Sequence, residues 1–374
     1  MKILHVYKTF INDTMGGVEQ VIANLVKTGN SSDYDHSVLS LSKKSPGIDA
    51  SFAGVNNLHY KEQFSIASNA FSLPLLYDFR NVVNGYDLIH YHFPWPFADM
   101  MHIFCRIKKP SIVTYHSDIV RQKKLRYLYN PLMHRFLSSV NMLVATSPNY
   151  LETSTVLQRY QNKTAVVPIG ISKRNYPKPS QEKTAYWQNR FGKRFFLFVG
   201  VMRYYKGLHI LLDAIQGAMF PVVIVGTGPI EDSLKRQAND LNVTNVHFLG
   251  KLPDEDKIAL LQLCSSVVFP SHLRSEAFGV SLLEGAMFGK PMISTEIGTG
   301  TSYINIDGTT GLVVPPSDPQ ALRRAMDFIW THPEESSVMG DMAAARHKIL
   351  FTGNKMVAEY EKLYEKVVVR HGAV

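Results

Sequence analysis

Cysteine is nearly absent: Cys105 and Cys264 are the two in 374 residues, and both stand in apolar stretches that read as small core positions. No disulfide framework or thiolate metal site can be built from them. No apolar run approaches the roughly 18 residues that span a bilayer. The opening Met1 to Tyr7 meets polar residues by Thr9, too early for a secretory signal, so a cytoplasmic location is expected. Low-complexity tracts are missing too, and with 45% hydrophobic and 19% charged residues the chain reads as globular throughout. Zinc-finger spacings and aromatic RNA-binding signatures are lacking, which sets nucleic acid aside as a partner. Forty Lys and Arg against 31 Asp and Glu nevertheless give +9, a surplus suited to another anion, a polyphosphate or acidic lipid headgroups.

At about 150 residues per domain the length predicts two domains. Strand-like runs at 2–7, 36–41, 87–91, 111–115 and 142–146 alternate with helical or loop segments, the pattern of a parallel sheet with crossover helices. A second series restarts at 194–200 and continues through 221–225, 246–249, 266–269 and 291–294. Between them, Pro168 to Ser180 is rich in Pro and polar residues and reads as a linker. The boundary is placed near residue 171, giving domains 1–171 and 172–354, with a terminal helix after Gly353. Two doubly wound domains would put a ligand at the carboxyl ends of their strands, in a cleft between them.

The segment from Ser271 to Pro291 carries the most chemistry. Glu276 and Glu284 lie eight positions apart around Phe278-Gly279, at the entry to an apolar helix. Glu284 falls on or beside the buried stripe of Val280, Leu283, Ala286 and Met287, where an unpaired carboxylate would be costly. The amides of Phe278, Gly279 and Val280 would point out of the helix N-terminus toward an anion. Two acceptors flanking an anion cradle suit a nucleotide sugar; the plainer alternative is a capped helix with one exposed acid.

Thr14-Met15-Gly16-Gly17 follows the first strand, and its glycines allow close approach of backbone to a phosphate. It lacks the spacing of a dinucleotide fingerprint. His116 and Asp118 close the strand ending at Tyr115, where a lone His is also a common structural hydrogen-bonder. His90 and His92 alternate on a strand without an evident third metal ligand, and read as cleft lining that could face an acceptor.

Taken in order, these motifs resemble the retaining glycosyltransferases of family 4, which have the two-domain GT-B fold. The resemblance rests on Gly16-Gly17-Val18-Glu19, Gly200 to Gly207, Gly226-Thr227-Gly228, Phe248 to Pro253, Glu276 with Glu284, and Ile297 to Pro316. It implies that the Gly16 and Gly17 amides touch the donor diphosphate, that Lys206 neutralises the leaving diphosphate, and that His116 and, more weakly, Asp118 reach the donor sugar. It also implies that Gly226 and Gly228 repeat the glycine-loop logic, that Leu252 lies in the loop meeting the nucleobase, and that Glu284 holds the ribose and Glu276 the sugar. The family's arginine is displaced: Val201 occupies its usual place and Arg203 stands two residues later. Asp254-Glu255-Asp256 matches an acidic triplet that holds metal elsewhere but opens a helix after Pro253, where acids complement the helix dipole. No metal and no cofactor are therefore expected.

The stretch from Ile297 to Pro316 is similar to bacterial O-antigen and exopolysaccharide mannosyl- or rhamnosyltransferases. That implies GDP-mannose as donor, with GDP-rhamnose or a UDP sugar as alternatives, and an undecaprenyl-diphosphate-linked glycan as acceptor on the first domain. The terminal helix 355–374 would cross back onto that domain. Cations interleaved with apolar residues from Arg121 to Arg135 are expected to dock on the anionic inner leaflet; the plainer alternative is a solvated basic helix. A sugar-nucleotide epimerase, a glycan phosphorylase and a non-catalytic nucleotide-sugar scaffold are the rival classes. Neither a pyridoxal-binding lysine nor an epimerase acid set is recognisable.

Overall fold

The computed structural model describes residues 1–11, 13, 16–31, 33–43, 46–52, 54–66, 69–119 and 123–372. The chain divides into two compact units, residues 1–170 with 353–374, and residues 171–352. Ile171 belongs to the second unit: its N–H donates to Phe351 O at 2.9 Å and it pairs with Thr352.

The first unit is built on an eight-stranded sheet in the order Thr164–Val166, Met142–Ala145, Ser111–Tyr115, Leu88–Phe93, Lys2–Val6, Asp35–Ser42, Val55–Lys61, Gly47–Phe52. All neighbours are parallel except the last pair. Lys2–Val6 and Leu88–Phe93 are short apolar or aromatic runs buried on both faces, as parallel strands under helices must be. Val55-Asn-Asn-Leu-His-Tyr-Lys61 is too polar to register as a strand in sequence; pairing on both sides, with Asp35–Ser42 and with the edge strand Gly47–Phe52, makes it one. The helix Gly353–Gly372 returns to this unit, burying Met356, Val357, Tyr360, Tyr364 and Val367.

The second unit has six parallel strands in the order Val246–Phe248, Val222–Val225, Phe196–Val199, Ser266–Phe269, Met292–Thr295, Gly311–Val314. Apolar clusters flank it, one holding Phe196, Leu211, Ile224, Ile293 and Met326, the other Leu197, Val223, Ile258 and Val267. Both sheets are doubly wound, so loops converge at the carboxyl ends of the central strands, where order reverses. Among the described residues no helix is long and apolar enough to cross a membrane. Cys264 is buried as expected, whereas Cys105 is partly exposed, its thiol 3.6 Å from Leu76 O at the end of a helix.

Candidate active site

In the second unit, strand Phe196–Val199 runs into Gly200 and then the turn Tyr204–Lys206. Gly207 closes the turn at φ 70°, and a Cβ there would lie 1.9 Å from Pro270 O, so only glycine fits. The turn aims Lys206 Nζ at the Glu276 carboxylate, with which it forms a close ion pair. Both side chains are 12% exposed. The ammonium also lies 4.6 Å from the Phe269 ring centroid, and Ser271 Oγ approaches the same carboxylate at 3.4 Å. Arg203 is exposed at the start of the turn.

Glu284 lies in the helix Val280–Met287 and is 3% exposed. Its Oε1 accepts from Lys257 Nζ at 3.0 Å and it also receives the Tyr176 hydroxyl. Burial alone would lower the Lys257 ammonium, but Glu284 and Asp254 together hold it above its ordinary value. Lys257 and Tyr176 escaped sequence reading; Lys257 has a signal, three residues after Asp254 on one helix face, but Tyr176 lies in an irregular linker. Glu276 and Glu284 are thus each matched by a lysine from a different element.

Gly279 precedes the Glu284 helix at φ 101°, with no side chain capping it. The amides of Phe278, Gly279 and Val280 donate to no other described residue. Ser281 Oγ donates to Val199 O at 2.7 Å, tying this helix end to the first strand of the unit. Gly226 and Gly228 serve packing between loops: a Cβ on either would come 2.0 Å from Gly200 O or 2.3 Å from Met202 O. Leu252 is half-buried and helps line a cavity of about 500 Å³ with Phe248, Leu249, Trp187 and Arg190. The acidic triplet beside it is already committed. Asp254 pairs with Lys257 at 3.0 Å, Glu255 accepts from Ser180 N, and Asp256 accepts from Trp187 Nε1 at 2.9 Å and Lys183.

In the first unit, Gly16 precedes the helix Gly17–Gly29. A Cβ on Gly16 would meet the Glu19 carboxylate at 2.4 Å, so this helix end already carries an acid, held by Thr9 Oγ1 at 2.6 Å. Gly17 is open, with nothing within 4 Å of its Cβ position. Thr14 and Met15 lie outside the described residues. His116 follows the strand Ser111–Tyr115, its N–H bonded to Phe93 O at 3.0 Å and its Nε2 2.9 Å from His92 Nδ1. Burial pushes the imidazole down to about 3, so it is neutral near pH 7. Asp118 is tied to the strand before it and to the helices after Ser147: it accepts from Tyr115 OH and Ser154 Oγ, and its N–H donates to Tyr150 OH.

His90 and His92 do not line a cleft. They are 0% and 2% exposed, and His90 bonds Tyr364 OH at 2.8 Å and Thr114 Oγ1 at 2.7 Å, beneath the C-terminal helix. The strand pattern was read correctly, but a long-range partner, the helix 353–372, covers that face. His5 supplies a third imidazole within metal-ligand distance of both, yet the ring nitrogens of all three are engaged by hydrogen bonds. Arg121 lies outside the described residues, and of Lys123, Lys124 and Arg126 the backbone alone is described, in the helix Lys123–Ser139.

Residues 15–174 match the family described as glycosyltransferase family 4, and residues 181–346 match glycosyl transferases group 1. The chain is 55% identical to the D-rhamnosyltransferase WbpZ of Pseudomonas aeruginosa, covering 94% of this chain and 92% of that one. It is 48% identical to the O-antigen chain mannosyltransferase C of Escherichia coli, over 97% and 98%. In structure it is similar to sucrose-phosphate synthase from Thermosynechococcus elongatus, with a TM-score of 0.82 over 99% of both chains at 18% identity.

Proposed function

The chain belongs to glycosyltransferase family 4, with its GT-B fold, and from that premise we propose a retaining, metal-independent transferase that moves mannose from GDP-mannose. The acceptor is an undecaprenyl-diphosphate-linked glycan in the assembly of O-antigen or a related polysaccharide. The observation that carries this reading is the pairing of Glu276 with Lys206 and of Glu284 with Lys257 around the unengaged amides of 278–280. An anionic diphosphate there meets backbone N–H groups and a lysine, while the carboxylates accept from hydroxyls. The commitment of Asp254 and Asp256 to Lys257, Trp187 and Lys183 supports metal independence.

In the reaction, the bond between the sugar's anomeric carbon and the diphosphate oxygen breaks and the acceptor oxygen bonds to that carbon from the same face. The acceptor proton passes to the departing phosphate. Lys206 and the 278–280 amides stabilise the charge that develops on GDP; Glu276 and His116 hold the sugar, Glu284 the ribose, and the Gly17 amide assists the diphosphate. Arg203, Gly226, Gly228 and Leu252 complete the loops around the nucleotide.

The 55% identity to a D-rhamnosyltransferase favours a second donor reading, GDP-rhamnose. The two sugars differ at one hydroxyl, so a site bonding that hydroxyl rejects the deoxy sugar about 10⁴-fold, and a site that ignores it does not. Turnover of GDP-mannose, GDP-D-rhamnose and UDP-glucose with a lipid-diphosphate acceptor, each with and without chelator, tests the proposal. Product from GDP-mannose in chelator supports it; exclusive use of GDP-rhamnose moves it to the second reading, and exclusive use of UDP-glucose overturns both.

The enzyme is further proposed to work in the cytoplasm, docked on the anionic inner face of the plasma membrane. The helix Lys123–Ser139 carries exposed Tyr127 and Leu128 beside its basic first turn. Cosedimentation with anionic but not neutral vesicles, weakened by salt and by Ser at positions 123, 124 and 126, is the expected outcome. Equal binding by that triple variant removes the segment from the mechanism.

A further inference from the structure

Four imidazoles cross the first unit's sheet in one row. His36, His5, His92 and His116 stand on or directly after four adjacent strands, Asp35–Ser42, Lys2–Val6, Leu88–Phe93 and Ser111–Tyr115. Each joins the next through ring nitrogens: His36 Nδ1 to His5 Nε2 at 2.9 Å, His5 Nδ1 to His92 Nε2 at 3.0 Å, His92 Nδ1 to His116 Nε2 at 2.9 Å. Consecutive rings are stacked, with centroids 5.1, 5.4 and 5.2 Å apart. All four are at most 5% exposed. His90 is a side branch, stacked on His92 at 4.3 Å but bonded to Tyr364 and Thr114.

A neutral imidazole carries one N–H and one bare nitrogen. Every link in this row joins an Nδ1 to an Nε2, so the bonds are all satisfied in two ways: all four rings protonated on Nδ1, or all four on Nε2. A single ring in the opposite tautomer would set two N–H groups or two lone pairs face to face in a dry interior, where an unmade bond is costly. Burial keeps the rings neutral, His36 pushed down to about 4 and His5 and His92 well below the ordinary range, so a doubly protonated ring does not relieve the constraint.

We propose that His36, His5 and His92 are positioning residues for His116: the row ties its tautomer to rings up to three strands away, so that its Nδ1 changes between donor and acceptor only when the whole row changes with it. This rests on the reading that His116 reaches the donor sugar. There, an Nδ1 held as donor or as acceptor bonds a sugar hydroxyl in one orientation, whereas a mixed population does so part of the time.

Nitrogen NMR of histidine-labelled, full-length protein reads the tautomers directly, with signals assigned by loss in single variants. In the wild type, His5, His36, His92 and His116 are expected to report the same neutral tautomer balance. In His5→Phe, which touches neither His116 nor ligand, His116 is expected to depart from that balance, with kcat down about tenfold and nucleotide affinity unchanged. His5→Gln, whose amide offers both a donor and an acceptor, should recover much of both. Unequal tautomer balances among the four wild-type rings, or unchanged His116 shifts in a folded His5→Phe, overturn the proposal. If His5→Phe does not fold, the wild-type spectrum and His5→Gln still decide. Wild-type turnover in His116→Ala would instead remove His116 from the sugar, leaving the coupling to be judged by the spectra alone.

Discussion

The two units share a doubly wound plan but treat ionisable groups in opposite ways. The first buries a layer of neutral imidazoles in its sheet and covers it with the tyrosines of the C-terminal helix. The second keeps its sheet apolar and confines charge to strand ends, where Lys206 with Glu276 and Lys257 with Glu284 form pairs. Neutral rings hydrogen-bonded in a dry layer give direction without net charge; ion pairs at a rim give charge that a ligand can share. Position is the first unit's resource and potential is the second's.

Acid should separate the units most. The row's imidazoles titrate lower folded than unfolded, so below about pH 6.5 unfolding takes up protons and stability falls as pH drops toward the folded values, about 4 for His36 and about 3 for His116. Each such ring contributes about 1.4 kcal/mol per pH unit across that window. In the second unit His209, His247 and His272 are less buried, and His347 reaches about 4. Hydrogen exchange at pH 5 is expected to show Lys2–Val6 and Leu88–Phe93 losing protection before Phe196–Val199. Equal losses would break the comparison.

Lys206→Ala comes next. It strands the Glu276 carboxylate with Ser271 alone, costing about 3 kcal/mol of stability, and, on the proposed mechanism, removes the cation that meets the departing diphosphate, costing about 10²-fold in kcat. Denaturant titration and single-turnover rates read the two effects separately. Glu284→Ala should weaken GDP about ten- to a hundredfold by calorimetry, with a smaller change in kcat. A variant that lost turnover and bound GDP normally would reverse these roles.

The smallest test compares glycines. Gly226→Ala, at φ 130° and 2.0 Å from Gly200 O, is expected to lose at least about 1–3 kcal/mol; Gly17→Ala, with open space around it, stays within about 0.5. Thermal melts of both would show whether these glycine loops differ in kind as their packing implies.

Much of the core was legible because it is written in short apolar runs: Ser111–Tyr115 and Ser266–Phe269 were read to the residue, and the helix after Gly353 to within two. The edge strand Gly47–Phe52 and its neighbour Val55–Lys61 were not, since they owe their state to pairing rather than to an apolar pattern. Glu276, Glu284 and Lys206 could be named from spacing and resemblance. Their partners could not, for Lys257 and Tyr176 reach Glu284 across 27 and 108 positions of chain.

By itself, then, the sequence determined which central segments become strands and where glycines open the loops that follow them, because burial periodicity and glycine conformational freedom are local properties. Only the tertiary structure decided which histidines meet. His5, His36, His92 and His116 are dispersed over more than a hundred positions, and a parallel sheet brings them into line because its strands come together from distant segments in an order that local pattern does not specify.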